Sequence, residues 1–489
     1  MPRLIMIGLC FVCLFITMKG KPVDFDTFFF NQTLRVDYYH IGHAQMDVIA
    51  IDQMKRYEGW AGSCKNLTDE FNNGRYYARV FDDASGELLF SRGYDCYFAE
   101  YQSSDDGVAG KTKVYHESVL VPYPRQKIRL VIERRDQQQQ LNKIFEQIID
   151  PGDWRVIREE THDPQCYIEK IVNNGDPHRH VDLVVVADGY TNRELSKFKQ
   201  DMQRFNDYFF SLEPYRSMRD EFNVTGVLKP SVESGCDEPE SDIYKQTALN
   251  CTFNSLGSER YLLTEDNRSL RDIAGQVPYD AILVMVNHSR YGGGGIYNSF
   301  CTFTSDNQWV DYLILHEFGH SFGGLADEYY TSETAYNDFY PKGIEPVEPN
   351  ITALLGDTVK WQNVMSAGLA IPTPWEKSAF DSMDGEWQQR RREMNRRISD
   401  LKRARAPESE IKAAITLYDQ TDQENSQRVI QFLEKCQYAG KVGVFEGAGY
   451  SSQGLYRPML DCIMFSKGKK PYCQICQHHI EKVIRHYTE

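Results

Sequence analysis

The chain has 489 residues, of which 41% are hydrophobic and 13% aromatic, and a formal net charge of −15. That length exceeds one compact domain, so two or three units are expected, each with enough apolar residues for a core. The acidic balance argues against nucleic acid as a partner and excludes little else.

Met1-Pro2-Arg3 precede an apolar run over residues 4–18, and Lys19-Gly20-Lys21 follow it. A short basic start before a short apolar stretch is the pattern of a secretory signal peptide, assigned to residues 1–20. The run is shorter than the ~20 residues of a membrane-spanning helix. No later segment is long and apolar enough to span a bilayer, so the mature chain is expected to be soluble, secreted and extracellular. Two of the twelve cysteines, Cys10 and Cys13, leave with the signal. An even remainder in a secreted chain predicts disulfides, with Cys64–Cys96 and Cys236–Cys251 as local pairs. Cys473-x-x-Cys476, with Cys462 upstream and His478 and His479 downstream, has a second reading as a structural zinc site, which an oxidising compartment disfavours. Sequons at Asn31, Asn66, Asn223, Asn250, Asn267, Asn287 and Asn350 are expected to be surface glycan acceptors in a secreted chain.

Residues 23–140 read as an all-β sandwich. Val80-Phe81 and Leu88-Leu89-Phe90 flank a polar, glycine-containing turn, and 119–122 with 128–132 read as a further strand pair. Gln137 to Gln140 read as a surface linker or helix start. The second unit, 154–489, begins with a buried strand at 181–187. Thr191-Asn192-Arg193-Glu194 resembles a capping box opening a helix through Phe209-Phe210. Strands follow at 222–227 and 279–286, and the order is that of an α/β unit. Tyr291-Gly292-Gly293-Gly294-Gly295 lacks the G-K-[ST] of a phosphate-cradling loop. Either it is a flexible loop or its backbone lies close to a bound peptide, where side chains would obstruct.

Leu315-His316-Glu317-Phe318-Gly319-His320-Ser321-Phe322-Gly323-Gly324-Leu325-Ala326-Asp327-Glu328-Tyr329 carries the chemistry. Two histidines four apart share one helix face and reach one metal, and neutral imidazole suits Zn²⁺. Glu317, next to the first histidine, is placed to take a proton from an activated water. H-E-x-x-H alone is a weak pattern. Here apolar residues before it mark a buried helix, a glycine pair ends it, and acids follow. Residues 376–436 are rich in Arg, Glu and Gln on both sides of Ala406-Pro407-Glu408, and read as a charged helical hairpin, a solvated spacer rather than a partner-binding arm. Glu446, set between glycines, reads as an internal ion pair, or as a binder of a substrate amine or second cation.

The segments Val184-Val185-Val186-Ala187-Asp188-Gly189-Tyr190, the glycine run, His316 through Tyr329, Val444-Phe445-Glu446-Gly447-Ala448-Gly449-Tyr450, Tyr456-Arg457-Pro458 and Cys462-x-Met464 occur in this order. Together they resemble the M64 family of metallopeptidases, from about residue 165 to 476. The resemblance implies an α+β protein: an N-terminal sandwich followed by a metzincin-like zinc peptidase domain. The charged hairpin looks like an insertion relative to bacterial members. The family's IgA-cleaving namesake does not carry a substrate to this chain.

The resemblance implies a zinc endopeptidase acting on protein or peptide substrates. His316 and His320 would be ligands, Glu317 the general base, and Tyr456 and Arg457 candidate oxyanion donors. The strand ending at Val286, with the glycine run after it, is expected to pair with extended substrate. In metzincins the third ligand follows the turn glycine by three residues. From Gly323 that position is Ala326, which cannot bind metal, and from Gly324 it is Asp327. Asp327 is therefore expected as third ligand, with Glu328 and Glu446 as alternatives. Met464, rather than Met365, is expected beneath the metal. Rival readings are a zinc aminopeptidase and a non-catalytic binding protein on the same fold.

Overall fold

The computed structural model describes residues 23–158, 162–331 and 339–489. The 1–20 segment, with Cys10 and Cys13, lies outside the described residues. One helical turn, α1 (Phe25–Phe28), leads into β1 (Phe29–His43), β2 (Met46–Glu58), β3 (Tyr76–Asp82) and β4 (Leu88–Tyr94). Short helices α2 (Tyr97–Ser103) and α3 (Asp105–Val108) precede β5 (Lys113–Pro124), β6 (Ile128–Arg135), β7 (Leu141–Ile149) and β8 (Val156–Ile157). They form two four-stranded sheets, ordered β5-β1-β2-β8 and β4-β3-β6-β7. Val36, Tyr38 and Val121 of the first share a buried core with Ala78, Val80, Leu130 and Ile132 of the second. The period-two alternation of strands supplies those inward positions.

Two local expectations are corrected. β5 and β6 are not a pair: β5 joins β1, and β6 joins β3 and β7. The chain changes sheets between Pro124 and Ile128, which a turn signal alone does not reveal. The glutamine run is the β6–β7 hairpin turn, where Gln139 takes φ 63° and Asp136 accepts the Gln138 and Gln140 amides.

The second part contains β9 (Tyr167–Val172), β10 (Val181–Asp188), α4 (Leu195–Phe209), β11 (Phe222–Leu228), α5 (Asn267–Ala274), β12 (Ala281–Val286), β13 (Gly293–Ile296) and β14 (Phe300–Thr304). Their sheet order is β13-β14-β12-β10-β11-β9. The inner strands are parallel, while β9 and β13 pair antiparallel at the edges. The apolar run of β10 follows from burial on both faces. Leu183, Val185 and Ala187 face α4 and α6 (Val310–Ser321), whereas Val184 and Val186 join the core that continues into the N-terminal sheets. The capping expectation holds in part: the Glu194 carboxylate accepts the Thr191 amide at 2.9 Å, one 3-10 turn before α4 begins.

After α6 come the long α7 (Lys377–Arg403) and α8 (Glu408–Lys435), then β15 (Phe445–Ala448), β16 (Ser451–Arg457) and α9 (Gln474–Thr488). The α7–α8 hairpin is not a solvated spacer. Phe380, Met383, Val429 and Leu433 bury themselves with Phe465 in the same core as α6. Their i, i+3/i+4 spacing makes a narrow apolar stripe that the surrounding charges hide.

Three sequons are internal. Asn287 donates to the Gly189 carbonyl and Glu194, Asn350 to the Ala326 carbonyl and Glu328, and Asn223 to the Gly175 carbonyl and Asp182. All three are buried, so a glycan there would displace native contacts, whereas Asn31, Asn66 and Asn250 are exposed. The ten described cysteines are free thiols. Cys64 faces His178 while Cys96 faces His40, so the expected Cys64–Cys96 pair does not form.

Candidate metal centre

Helix α6 is enclosed on nearly every side, with Leu313, Ile314, Leu315 and Phe318 in the core. That burial fixes the facing of His316 and His320. Their Nε2 atoms lie 3.3 Å apart. Each Nδ1 is held from behind. His316 Nδ1 lies 3.0 Å from the Ile463 carbonyl and His320 Nδ1 lies 2.7 Å from the Leu325 carbonyl. A carbonyl only accepts, so both Nδ1 atoms carry a proton, and in the neutral rings both Nε2 lone pairs point to the shared space. Tyr312, one turn earlier, stacks on His316 at 5.0 Å.

The helix ends in a left-handed turn at Gly324, φ 58°, and the Leu325 amide bonds back to Gly319 at 3.1 Å. Glycine takes that conformation without strain, and an added Cβ would strike Asn73. The chain then runs back across the histidines. Asn350 pins it by bonding both the amide and the carbonyl of Ala326 at 2.8 and 2.9 Å. Asp327 Oδ1 thereby lies 3.2 Å from each Nε2. That oxygen is buried and receives no hydrogen bond, while Oδ2 accepts from the Tyr450 hydroxyl. Two lone-pair nitrogens and an orphaned carboxylate oxygen at one point form a donor set suited to a divalent cation.

The electrostatics agree. Burial would push the Asp327 carboxyl up, yet His320 and His316 hold it well below the usual range. Burial favours neutral His320, but Asp327 and Glu317 outweigh it and push that imidazole up to about 9 when no cation competes. Glu317 is raised, first by burial, against the pull of the two histidines. Its carboxylate lies against Gly293, where an added Cβ would come within 2.8 Å of Oε1.

The glycine run is neither a loose loop nor a tip. Gly293–Ile296 is edge strand β13, pressed on α6: a Cβ at Gly295 would sit 2.5 Å from the Glu317 carbonyl and 2.8 Å from His320 Cβ. The strand ending at Val286 lies between β10 and β14, so it has no free edge for substrate. Gly293 exchanges bonds outward with Arg260 and Leu262 at 3.4 and 3.2 Å. By the two-residue period, the Gly295 amide and carbonyl face the same way, into the cleft that Gly295 lines.

The structure thus brings His316, Glu317, His320 and Asp327 together. Glu328 points away, towards Asn350 and Cys476. Tyr456 and Arg457 do not line the cleft. Arg457 is fully buried and donates to the carbonyls of Gly447, Glu446 and Leu460 at 2.7, 3.2 and 3.3 Å. Glu446 accepts from the Gly454 amide and also stays outside the cleft. Met464 Sδ lies against Gly319, between the histidines, whereas Met365 packs with Val359 and Trp361 elsewhere. Cleft-lining Arg260, Tyr291, Tyr312, Tyr329 and Tyr450 were missed. Tyr312 had a signal, four residues before His316; Arg260 had none.

The cleft has three walls. One is the sheet edge with α6, one is the N-terminal unit through Asn73, Asp95 and Glu100, and one is the hairpin through Trp387, Arg391 and Asp422. Comparison with known families fits this geometry. Residues 169–484 match the family described as IgA Peptidase M64, and residues 24–146 match Peptidase M64 N-terminus. No curated protein gives a significant match. The chain belongs to the M64 family of metallopeptidases.

Proposed function

We propose that this M64-family chain is a zinc-dependent endopeptidase, exported and extracellular, whose mature part is a β-sandwich unit (23–140) followed by a metzincin-like peptidase unit (154–489). The single observation that carries the reading is the convergence of His316 Nε2, His320 Nε2 and Asp327 Oδ1, each within 3.3 Å of the others. These three atoms would hold zinc. When bound, zinc supplies Lewis acidity, polarising a scissile carbonyl and acidifying water.

The rest is done by the chain. Glu317, its carboxyl raised by burial, takes the proton of the attacking water and delivers it to the leaving amine. Gly295 offers one amide and one carbonyl to an extended peptide, which would continue the sheet beyond β13. Tyr329 and Arg260 stand in the cleft as donors for the developing oxyanion. Met464 packs beneath the histidines and fixes the floor. Glu446 lies outside the cleft, which removes the amine anchor on which an aminopeptidase reading relied. The apolar run at residues 4–18 supports export, and the common core of the two N-terminal sheets supports a sandwich.

The test is digestion of an N-terminally blocked peptide library by purified protein, with and without chelator. Internal cleavage that stops with chelator and returns with zinc is expected. Release of single N-terminal residues from unblocked peptides only, or no cleavage by zinc-loaded protein, would overturn the reading.

A further inference from the structure

A second cluster of ligand-type side chains lies one residue away from the first and takes no part in the proposed reaction. Glu328, Cys462, Cys473 and Cys476 are all buried, and their ligand atoms lie within 4.8 Å of one another. Cys473 Sγ is 3.4 Å from Cys476 Sγ, and Cys462 Sγ is 4.0 Å from Cys476 Sγ. Glu328 Oε1 is 3.2 Å from Cys476 Sγ and 3.8 Å from Cys473 Sγ.

These separations match a coordination sphere. Zinc holds thiolate sulfur at about 2.3 Å and carboxylate oxygen at about 2.0–2.2 Å in a tetrahedron, which places sulfurs about 3.8 Å apart and sulfur about 3.5 Å from oxygen. Two further observations point to a bound cation. Glu328 Oε2 is buried without any hydrogen-bond partner. Cys462 Sγ accepts the amides of Cys473 and Met464 at 3.1 and 3.4 Å, the backbone support that a ligating thiolate receives. A buried carboxylate among three thiols is costly without a counter-charge. The Arg457 guanidinium acts on Glu328 only through space, its Nη hydrogen bonds going to the carbonyls of Glu446, Gly447 and Leu460.

We propose that Glu328, Cys462, Cys473 and Cys476 form a second, structural zinc site, chemically distinct from the His316–His320–Asp327 centre. Its ligands come from the irregular segment after α6, from the 461–465 turn, and from the N-terminus of α9. It ties those three segments together. Glu328 adjoins Asp327, and its amide bonds to the Met464 carbonyl at 2.9 Å. Cys462 adjoins Ile463, whose carbonyl fixes the His316 tautomer. On the proposed function, the structural metal therefore positions two parts of the first site without touching substrate.

The full-length chain, purified after expression with zinc, should contain two zinc ions. His316→Ala with His320→Ala should leave one, and X-ray absorption on that protein should show sulfur scatterers at about 2.3 Å. Cys473→Ser with Cys476→Ser should lose the sulfur-bound ion and, where it folds, keep the other. Intact mass after alkylation of the denatured, chelated wild type should show Cys462, Cys473 and Cys476 all modified. A zinc-loaded wild type with one zinc that the histidine variant loses would overturn the second site and leave the first intact. A disulfide within the trio, or nitrogen- and oxygen-only scattering in the histidine variant, would also overturn it. If instead the histidine variant retains every wild-type zinc with sulfur scattering, the first site fails and the second stands.

Discussion

At Gly295 the sheet edge packs directly on the histidine helix, and Gly295→Ala measures how much that approach matters. The new Cβ would lie 2.5 Å from the Glu317 carbonyl and 2.8 Å from His320 Cβ. Neither neighbour is the free end of a side chain, so relief requires the helix or the strand to move. Reaching a tolerable C···O contact takes a displacement of roughly 0.8 Å. Overpacking of that kind costs about 1–3 kcal/mol. A shift approaching 1 Å in a reacting constellation costs about 10²-fold in rate. Gly385 supplies the control. It is exposed within α7, a methyl added there would meet open space, and alanine should stabilise by about 1 kcal/mol through helix propensity. Urea denaturation with unchanged m-value, zinc content and peptide turnover should be measured on both variants. Wild-type stability and turnover in Gly295→Ala would refute the claim that close packing of β13 on α6 sets the site.

Glu317→Gln should keep zinc and lose hydrolysis by about 10²–10⁴-fold, since it removes the proton carrier and no ligand; near-normal turnover would exclude Glu317 as base. Asp327→Ala should weaken zinc binding at the histidine centre by orders of magnitude, as read by competition with a chromophoric chelator, and unchanged affinity there would move the third ligand elsewhere. His320, held up to about 9, must shed its proton to bind metal, so affinity at this centre should rise about tenfold per pH unit through pH 7–9 and then level off; a flat titration would contradict it. In the N-terminal unit, burial opposes charge on His40, but Glu117 and Asp47 win and push it up to about 9. A folded value above the unfolded ~6.5 gives stability that is complete below ~6.5 and is lost as pH rises through 9, on the order of 3 kcal/mol. His40→Gln should flatten that alkaline loss, and an unchanged pH profile in the variant would remove His40 as its source.

The site was legible where chemistry is compressed into short spacing. His316, Glu317 and His320 follow from one helical repeat. Asp327 depends on which glycine makes the turn, and Gly324, at φ 58°, makes it. What the sequence hid is long-range. Arg260 and Tyr291 reach the cleft through chain folding that no local period encodes. Arg457 looked like a donor because it stands in a dense motif, but the motif binds carbonyls and builds core. The fold shows the same division. β10, α4, β11 and β12 were readable from apolar runs and a cap, while β13 was not, because a strand of glycines has no side-chain pattern to read. The hairpin was recognised as helical from its composition, but its burial was missed because a few apolar residues at helical spacing carry it.

That burial bears on where selectivity resides. Within the peptidase unit, Asn350, Leu325 and Ile463 hold the candidate ligands from behind. The walls a peptide would meet are separate in the chain, with Asn73 and Glu100 on one side and Trp387, Arg391 and Asp422 on the other. Neither wall supplies one of the candidate ligands. The N-terminal wall is nonetheless fastened to the helix terminus, since Asn73 donates to the Gly324 carbonyl at 2.8 Å and the Asp95 amide bonds to Tyr297 at 2.8 Å. The hairpin wall is held by apolar packing of Phe380, Val429 and Leu433 on the core and by Asp422, which accepts from Trp309 Nε1 and pairs with Lys467, each at 2.7 Å. Changes at Asn73 act on the turn that places Asp327, and changes at Asp422 act on Trp309 at the start of α6. On the proposed reading, the candidate ligands and the general base lie in α6 and the segments that brace it, while the two walls of the cleft come from separate parts of the chain.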